Sequence, residues 1–458
     1  MTKLEYLNKL QEKLQKFSDD LQAEIMDDYM QHFAEGEQLG KSDEEIIAEL
    51  GNIEDMIRDL PEDEMVQNVT AVEMGMHGNG VSGDENPGAD IRGNESSLAE
   101  IVEAESSKQN SYDGTYSEIV VDGSVANVTV TESNDGRIHV DYQNNGDLDC
   151  QLRYEFYQYE ENGIFYAGVR RRAGVEGNNR KTISFFGKTI SFENIFMRDA
   201  NADISLDVKV PAGMGKVVAK TGSGEMKVYN VHGTAMVLST GSGYMDVNDV
   251  EAENFKLNTG SGDVRLVKAL LENAGINTAS GDLDILMLGT DKLNINTASG
   301  DLILKEVRCG DLRINTASGD IDMSNVEALT MGFNSASGDI CGKGIQVQES
   351  LNCTTASGDV DFVGSAGNVK FGSGSGDLCV RCNGALQSVS VGTGSGDVDL
   401  ILEGITGMEI TTKVQSGDVE IDWRGQDSCV KNATSTFGDG SCKVQVKTGS
   451  GDVSVECR

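Results

Sequence analysis

Between Met226 and Ile340 apolar and polar residues alternate, and the apolar positions fall into columns one fixed step apart. Met226, Met245, Val264, Leu283, Leu302, Ile321 and Ile340 share one column; Val228, Val247, Leu266, Ile285, Leu304 and Met323 follow two residues later. A spacing of two places both columns on one side of a strand. A second strand is read from Met236, Phe255, Ala274, Leu293, Leu312, Met331 and Leu351, with Leu238, Leu257, Ile276, Ile295, Ile314 and Phe333 two residues on. Val231, Val250, Leu288, Val307 and Val326 lie between the two and are assigned to a corner.

Ser-Gly pairs punctuate the columns at Ser223, Ser242, Ser261, Ser280, Ser299, Ser318 and Ser337, always nineteen residues apart, then at Ser357, Ser375, Ser395, Ser416 and Ser450 with looser spacing. "INTASGD" recurs unchanged from Ile276, Ile295 and Ile314, and "FGDG" at Phe437 to Gly440 reads as a degenerate copy. Self-similarity at this period marks a stack of units. One unit buries too few side chains to offset the ordering of its backbone, whereas stacked units share strand hydrogen bonds and unbroken apolar columns. The expected fold is mainly β: a β-solenoid, a single-stranded β-helix with coils of 19–20 residues. Each coil is expected to hold two strands joined by Gly-containing turns. In the turn, Gly is expected at positive φ, Thr in a hydroxyl ladder and Asp in an Asx turn.

The pattern changes at the start of the chain. Leu4, Leu7, Leu10, Leu14 and Phe17 recur at three- and four-residue steps, as do Leu21, Ile25, Tyr29 and Phe33, which is helical spacing. Ser42 and Glu45 have capping-box spacing, and Gly51 stands where such a helix ends. Residues 1–62 are therefore read as a small all-α module of four helices. Residues 63–110 have no sustained period and are rich in Gly, Asn, Ser and Glu, the composition of a flexible acidic linker. Residues 111–200 gather Tyr154, Phe156, Tyr157, Tyr159, Phe165 and Tyr166 beside Arg170, Arg171 and Arg172. This segment is read as a β-rich cap on the solenoid of residues 201–458, or as a basic aromatic patch that binds an acidic partner.

Composition removes several function classes. Thirty-seven bases against 75 acids, a formal net charge of −38, oppose a nucleic-acid partner, whose phosphates require clustered Lys and Arg. No signal peptide and no run of eighteen apolar residues is visible, so the expected location is cytoplasmic, with cell-surface association by unconventional export as the alternative. Nine cysteines without paired spacing are read as reduced thiols, and "CVRC" at Cys379 to Cys382 as buried thiols rather than a zinc or redox site. Four histidines, His32, His77, His139 and His232, are scattered, and no Ser/His/Asp or phosphate-loop arrangement stands out. The expectation is a protein that is not an enzyme. Asp263, Asp282, Asp301, Asp320, Asp339, Asp359, Asp377 and Asp397 form an acidic column, read as solvated turn structure or as a ladder that concentrates Ca²⁺. No other cofactor is expected.

Two stretches resemble known families. "DDYMQHFAEGEQLGKSDEEIIAELGNIEDMIRDL" is similar to the HAAS module, domain of unknown function 1700, through Asp28-Tyr29, His32-Phe33, the Gly36 and Gly40 turn and Leu50-Gly51. The resemblance implies a bacterial signalling role in which the module reports to a PadR-type transcriptional regulator or a membrane signalling protein, with Tyr29, His32 and Phe33 as candidate contacts. "ISLDVKVPAGMGKVVAKTGSGEMKV" and the coils after it resemble the adhesin-type family, domain of unknown function 4097. That resemblance implies a right-handed β-solenoid without established enzyme activity. Together they suggest a signalling scaffold whose solenoid is sensor or interaction rod, the alternative being an adhesin-like binder of the cell envelope or a polysaccharide. The chain ends at "SGDVSVECR", directly after a strand, which predicts an open edge available for self-association or shielded by the helices.

Overall fold

The computed structural model describes residues 106–172, 180–185, 188–193 and 203–458, together with Lys9 and Lys13, both helical. The remainder of the expected helical module, including Tyr29, His32 and Phe33, lies outside the described residues, as does the linker up to residue 105. The chain divides into two compact units, Met1–Ala89 and Asp90–Arg458, and the β-structure belongs to the second.

This unit opens with β1 (Ser107–Tyr112), β2 (Glu118–Asp122), β3 (Asn127–Glu132), β4 (Ile138–Asn144), a short helix α1 (Leu148–Arg153), β5 (Tyr154–Glu161) and β6 (Ile164–Arg171). The hairpin β7 (Arg180–Phe185) and β8 (Lys188–Glu193), then β9 (Ile204–Val210) and β10 (Met214–Thr221), lead into the repeats. Seven long strands follow: β11 (Met226–Thr240), β12 (Met245–Thr259), β13 (Val264–Thr278), β14 (Leu283–Thr297), β15 (Leu302–Thr316), β16 (Ile321–Ser335) and β17 (Ile340–Thr355). Each of these is nearly a whole coil. Neighbours pair in parallel and in register, Met226 opposite Met245, Val264 opposite Leu283 and Ile295 opposite Ile314, so every sequence column is a physical column. None of the strand and corner residues read as inward is more than 3% exposed.

The corner differs from expectation. Instead of two strands joined by a glycine, one strand continues through a single residue in the left-handed region: Asn230, Asp249, Lys268, Met287, Glu306 and Asn325, with φ between 53 and 57°. Only β17 places a glycine there, Gly344 at φ 69°. A side chain in this conformation costs roughly 1 kcal/mol. Hydrogen bonding to the coils on either side, and the inward Val, Ala or Leu that follows, outweigh that local preference.

The parallel ladder also starts earlier than the repeats. β2 pairs with β10, Ile119 opposite Val217, and β3 pairs with β11, Val128 opposite Met226, so residues 118–132 form a coil inside the segment expected to be only a cap. Antiparallel strands cover this end: β4 on β9, β1 on β4 and β5 on β6. Ile138, Val140, Tyr142 and Phe165 from these strands continue the core.

Past β17 the coils break into shorter strands: β18 (Val360–Ser365), β19 (Asn368–Ser373), β20 (Leu378–Asn383), β21 (Ser388–Thr393) and β22 (Val398–Glu403). Then come β23 (Gly407–Ser416), β24 (Val419–Trp423), β25 (Gln426–Ser428), β26 (Thr434–Gly438), β27 (Cys442–Ser450) and β28 (Val453–Cys457). Here spatial order departs from chain order. β27 lies between β21 and β23, and β28 between β22 and β24, so the final coil is inserted beneath its predecessor. The C-terminal strands are therefore not the edge. The edge belongs to β25 and β26, which pair antiparallel with β24 and β23. "FGDG" is not a coil turn but the end of β26, where Asp439 accepts from the Ser441 N–H at 3.0 Å and from the Thr406 hydroxyl at 2.8 Å.

Apart from the two-stranded β7–β8, all strands belong to one continuous 26-stranded sheet, which the corners divide into a first and a second sheet face. The first runs β1–β4–β9–β3, the first halves of β11 to β17, then β18–β20–β22–β28–β24–β25; the second runs β5–β6–β2–β10, the second halves, then β19–β21–β27–β23–β26.

Candidate functional site

The Ser-Gly-Asp turns line up along one edge, and each residue type has its own bonding role. Thr278 closes its own turn, its hydroxyl accepting from the Gly281 N–H at 3.0 Å and donating to the Gly281 carbonyl at 3.1 Å. Thr297 and Thr316 do the same, so the hydroxyls bond within their coils rather than along a ladder. The repeat glycines before Gly417 are not at positive φ, contrary to expectation. Close approach is what requires them, because a Cβ on Gly281 would collide with the carbonyl oxygen of Gly262, and one on Gly300 with that of Gly281.

The aspartates do form a column, but through the backbone. Asp263 Oδ1 accepts the N–H of Asp282 at 3.0 Å, Asp282 that of Asp301 at 2.9 Å, Asp301 that of Asp320 at 3.0 Å and Asp320 that of Asp339 at 2.8 Å. Asp339, Asp359 and Asp377 continue it to Asp397, each at 2.8 Å. The series then passes to Asp452 and back to Asp418, following space rather than sequence. These bonds replace the expected Asx turns: each carboxylate caps the next coil and leaves its other oxygen toward water. Among the described residues no three His, Cys, Asp or Glu side chains converge as a metal site.

A second ladder escaped sequence analysis. Asn277 Nδ2 donates to Asn258 Oδ1 at 3.0 Å, Asn296 to Asn277 at 3.0 Å, Asn315 to Asn296 at 3.0 Å and Asn334 to Asn315 at 2.9 Å. The signal was present in the second letter of "INTASGD" and in its alternation with Ile276, Ile295 and Ile314.

The aromatic and arginine segment is brought together by the β5–β6 hairpin. Tyr159 stacks on Tyr166 with centroids 4.5 Å apart, Tyr142 on Phe156 at 5.1 Å, and Phe165 packs against Tyr112 at 4.7 Å. Burial pushes the Tyr157 hydroxyl up to about 12. Arg170 lies 5.5 Å from the Tyr157 ring centre and donates to Glu155 at 2.7 Å; Arg172 meets the other Glu155 oxygen at 3.2 Å. Arg171 is exposed.

One constellation was not legible in the sequence. Ser111 Oγ is 2.8 Å from His139 Nδ1, and His139 Nε2 is 2.8 Å from Asp135 Oδ1, a contact that holds the Asp135 carboxyl below its ordinary range. Ser111 and Asp135 are exposed, so the group lies open to water. His232, the other described histidine, pairs with Glu132 at 2.7 Å. Cys379 and Cys382 lie on one strand three residues apart and therefore project to opposite sides, exposed and buried respectively. Burial pushes the Cys382 thiol up to about 12.

No described helix is long and apolar enough to cross a membrane. Comparison with solved structures finds a "putative adhesin" from Parabacteroides merdae at 12% identity, covering 58% of this chain and 95% of that one, with a TM-score of 0.34. A "putative lipid binding protein" from Parabacteroides distasonis is 16% identical over 76% of this chain and 96% of its own, with a TM-score of 0.28. No curated protein matches the sequence. The HAAS family model matches residues 5–59. The Toastrack DUF4097 model matches twice, over residues 116–308 and 288–456, from the coil at β2 to the inserted strand β28, and the chain belongs to that family.

Proposed function

We propose that the chain is a non-enzymatic signalling scaffold, in which residues 5–59 dock a protein partner and the solenoid holds or senses a ligand. The observation that carries this reading is the presence on one chain of a HAAS match and a solenoid whose turn side chains are bonded coil to coil. A surface so tied to its own backbone is preorganised, which favours binding over rearrangement. The partner is a PadR-type regulator or a membrane signalling protein, met through Tyr29, His32 and Phe33, and the location is cytoplasmic. A second reading, an envelope or polysaccharide binder, is favoured by the polar amide ladder of the second sheet.

The test is capture by the full-length chain. A PadR-type regulator or membrane signalling protein is recovered, and the double variant Tyr29→Ala/Phe33→Ala loses it while the solenoid melts unchanged. Equal recovery by the double variant overturns the docking role. Fractionation separates the two readings, since an exclusively surface-associated protein contradicts a cytoplasmic scaffold. Absence of catalysis is checked by hydrolysis of p-nitrophenyl acetate, expected to be unchanged by Ser111→Ala.

A further inference from the structure

The outward side of the second sheet departs from the charge of the chain. Three outward rows start at Asn254, Lys256 and Asn258 on β12 and run coil by coil to Glu409, Thr411 and Lys413 on β23; they carry only two acids, Asp311 and Glu409, each paired with a base, Arg313 at 3.0 Å and Lys443 at 2.5 Å. Exposed Glu251, Glu253, Glu272, Asp291, Glu327 and Glu349 lie outside these rows, nearer the corner. Exposed Lys256, Lys292, Lys370, Lys413 and Lys447 stand in the rows. Between them stand the Asn ladder, Ser and Thr hydroxyls, and Gly275, Gly332, Gly372 and Gly392, which keep the surface flat. The outward side of the first sheet instead repeats acids at Asp246, Asp284, Asp322, Asp361 and Asp399. On a chain of net charge −38 these three rows thus form a neutral-to-basic ribbon along the second sheet.

Its C-terminal end is concave. A groove of about 670 Å³ is lined by Thr393, Thr411, Lys413, Asn432, Thr434 and Lys447. Lys413 and Lys447 are directly opposite one another on β23 and β27, and no acid pairs with either among the described residues. Two ammonium groups in register repel, a cost that an anion between them removes. The wall is fixed: Thr411 and Thr434 share a hydroxyl bond of 2.9 Å, and Asn432 bonds both the N–H and the carbonyl of Val414 at 2.9 and 3.0 Å.

We infer that this ribbon binds a linear anionic glycan, one acidic group of which enters the groove between Lys413 and Lys447. The lysines select negative charge. The three rows carry no aromatic or large aliphatic side chain, exposed Leu270 and Leu329 lying outside them toward the corner, so along the rows there are no anchors for a protein interface, no stacking platforms for a nucleic acid and no apolar contact for a lipid. What they offer is amides, hydroxyls and amines repeated at about 4.8 Å, one set per coil, which suits a repeating hydroxyl-rich polymer. At physiological ionic strength fields reach about 8 Å, so the local lysines and not the net charge govern contact. The inference rests on the reading of the solenoid as the ligand-holding part.

Titration of the purified full-length chain with three polymers of matched length decides it: a polyuronate, a neutral glucan and polyglutamate. The polyuronate is expected to bind, and the other two to bind at least about tenfold more weakly. Lys413→Gln/Lys447→Gln weakens polyuronate binding about tenfold or more with unchanged melting, whereas Lys227→Gln on the first sheet leaves it as it was. Asn296→Ala/Asn315→Ala weakens it several-fold without altering charge. Failure of the native chain to bind polyuronate overturns the inference. Equal binding of polyglutamate replaces the glycan with an acidic protein, and equal binding of the glucan removes the role of the lysines. A failed titration leaves HAAS-dependent capture of the regulator standing, and a failed capture leaves the titration standing.

Discussion

Gly275 and Gly281 lie six residues apart in the same coil and answer the same substitution in opposite ways. A Cβ on Gly275 has open space around it, whereas one on Gly281 would strike the Gly262 carbonyl. Gly281→Ala is expected to cost about 3 kcal/mol or more, because backbone in a packed ladder cannot retreat, while Gly275→Ala leaves the melting temperature nearly unchanged. The need for glycine in the turn was legible in "SGD", but its cause was not: close approach depends on where the next coil passes. Asp301 offers a second contrast. Asp301→Ala removes the acceptor for the Asp320 N–H and costs about 1 kcal/mol. Asp301→Asn keeps an acceptor, sheds a like charge from the column and is expected to be neutral or stabilising by up to about 1 kcal/mol. The calcium proposal is read in the same melts: cation binding along the column raises the native melting temperature above that in chelator and leaves Asp301→Asn/Asp320→Asn unmoved. Equal native melting in both media removes it. The thiols predict a pH effect. Burial pushes Cys353 and Cys382 up to about 12, so above their ordinary value near 9 the unfolded chain releases protons that the folded chain keeps. Their contribution is whole below pH 9 and is lost as pH rises toward 12. Native thiol labelling is accordingly expected at exposed Cys379 and Cys429 and not at Cys353 or Cys382.

At the scale of the element, the strand positions could be read directly because alternation reports which side chains face the core. The corner could not. Asn, Asp, Lys, Met, Glu and Asn at the six left-handed positions share no local preference that marks a bend; Lys, Met and Glu are ordinary strand or helix residues. Only the pull of two adjacent coils holds them there. Met287 is 48% exposed and contributes little to the core, so Met287→Gly relieves its backbone strain without opening a cavity. A stabilisation of about 0.5–1 kcal/mol is expected, measured by thermal or urea unfolding. A loss of stability would place the strain elsewhere.

At the scale of the whole unit, the exchange of the last two coils makes the C-terminus structural rather than peripheral. β27 and β28 each have a parallel neighbour on both sides. Ending the chain at Ser441 is expected to release β23 to β26 as well, so limited proteolysis should cut throughout residues 404–441. If those residues stay protected, the inserted coil is dispensable. The expected open end at "SGDVSVECR" failed for the same reason. The 34-residue step from Ser416 to Ser450 announced an interruption of the repeat, but not that the chain would fold back beneath its previous coil.

The sequence by itself determined the period, the inward columns and hence the solenoid, since a repeat of nineteen with alternating apolar residues has few other ways to bury them. It also carried both family matches, which depend on local motifs. Tertiary structure alone decided the left-handed corners, the early coil at residues 118–132, the inserted C-terminus and the Ser111–His139–Asp135 contact. It alone turned scattered lysines and a column of asparagines into one surface. Those features join residues far apart along the chain or adjacent only across coils, and such proximity arises when the stack closes, not from any preference a local segment expresses.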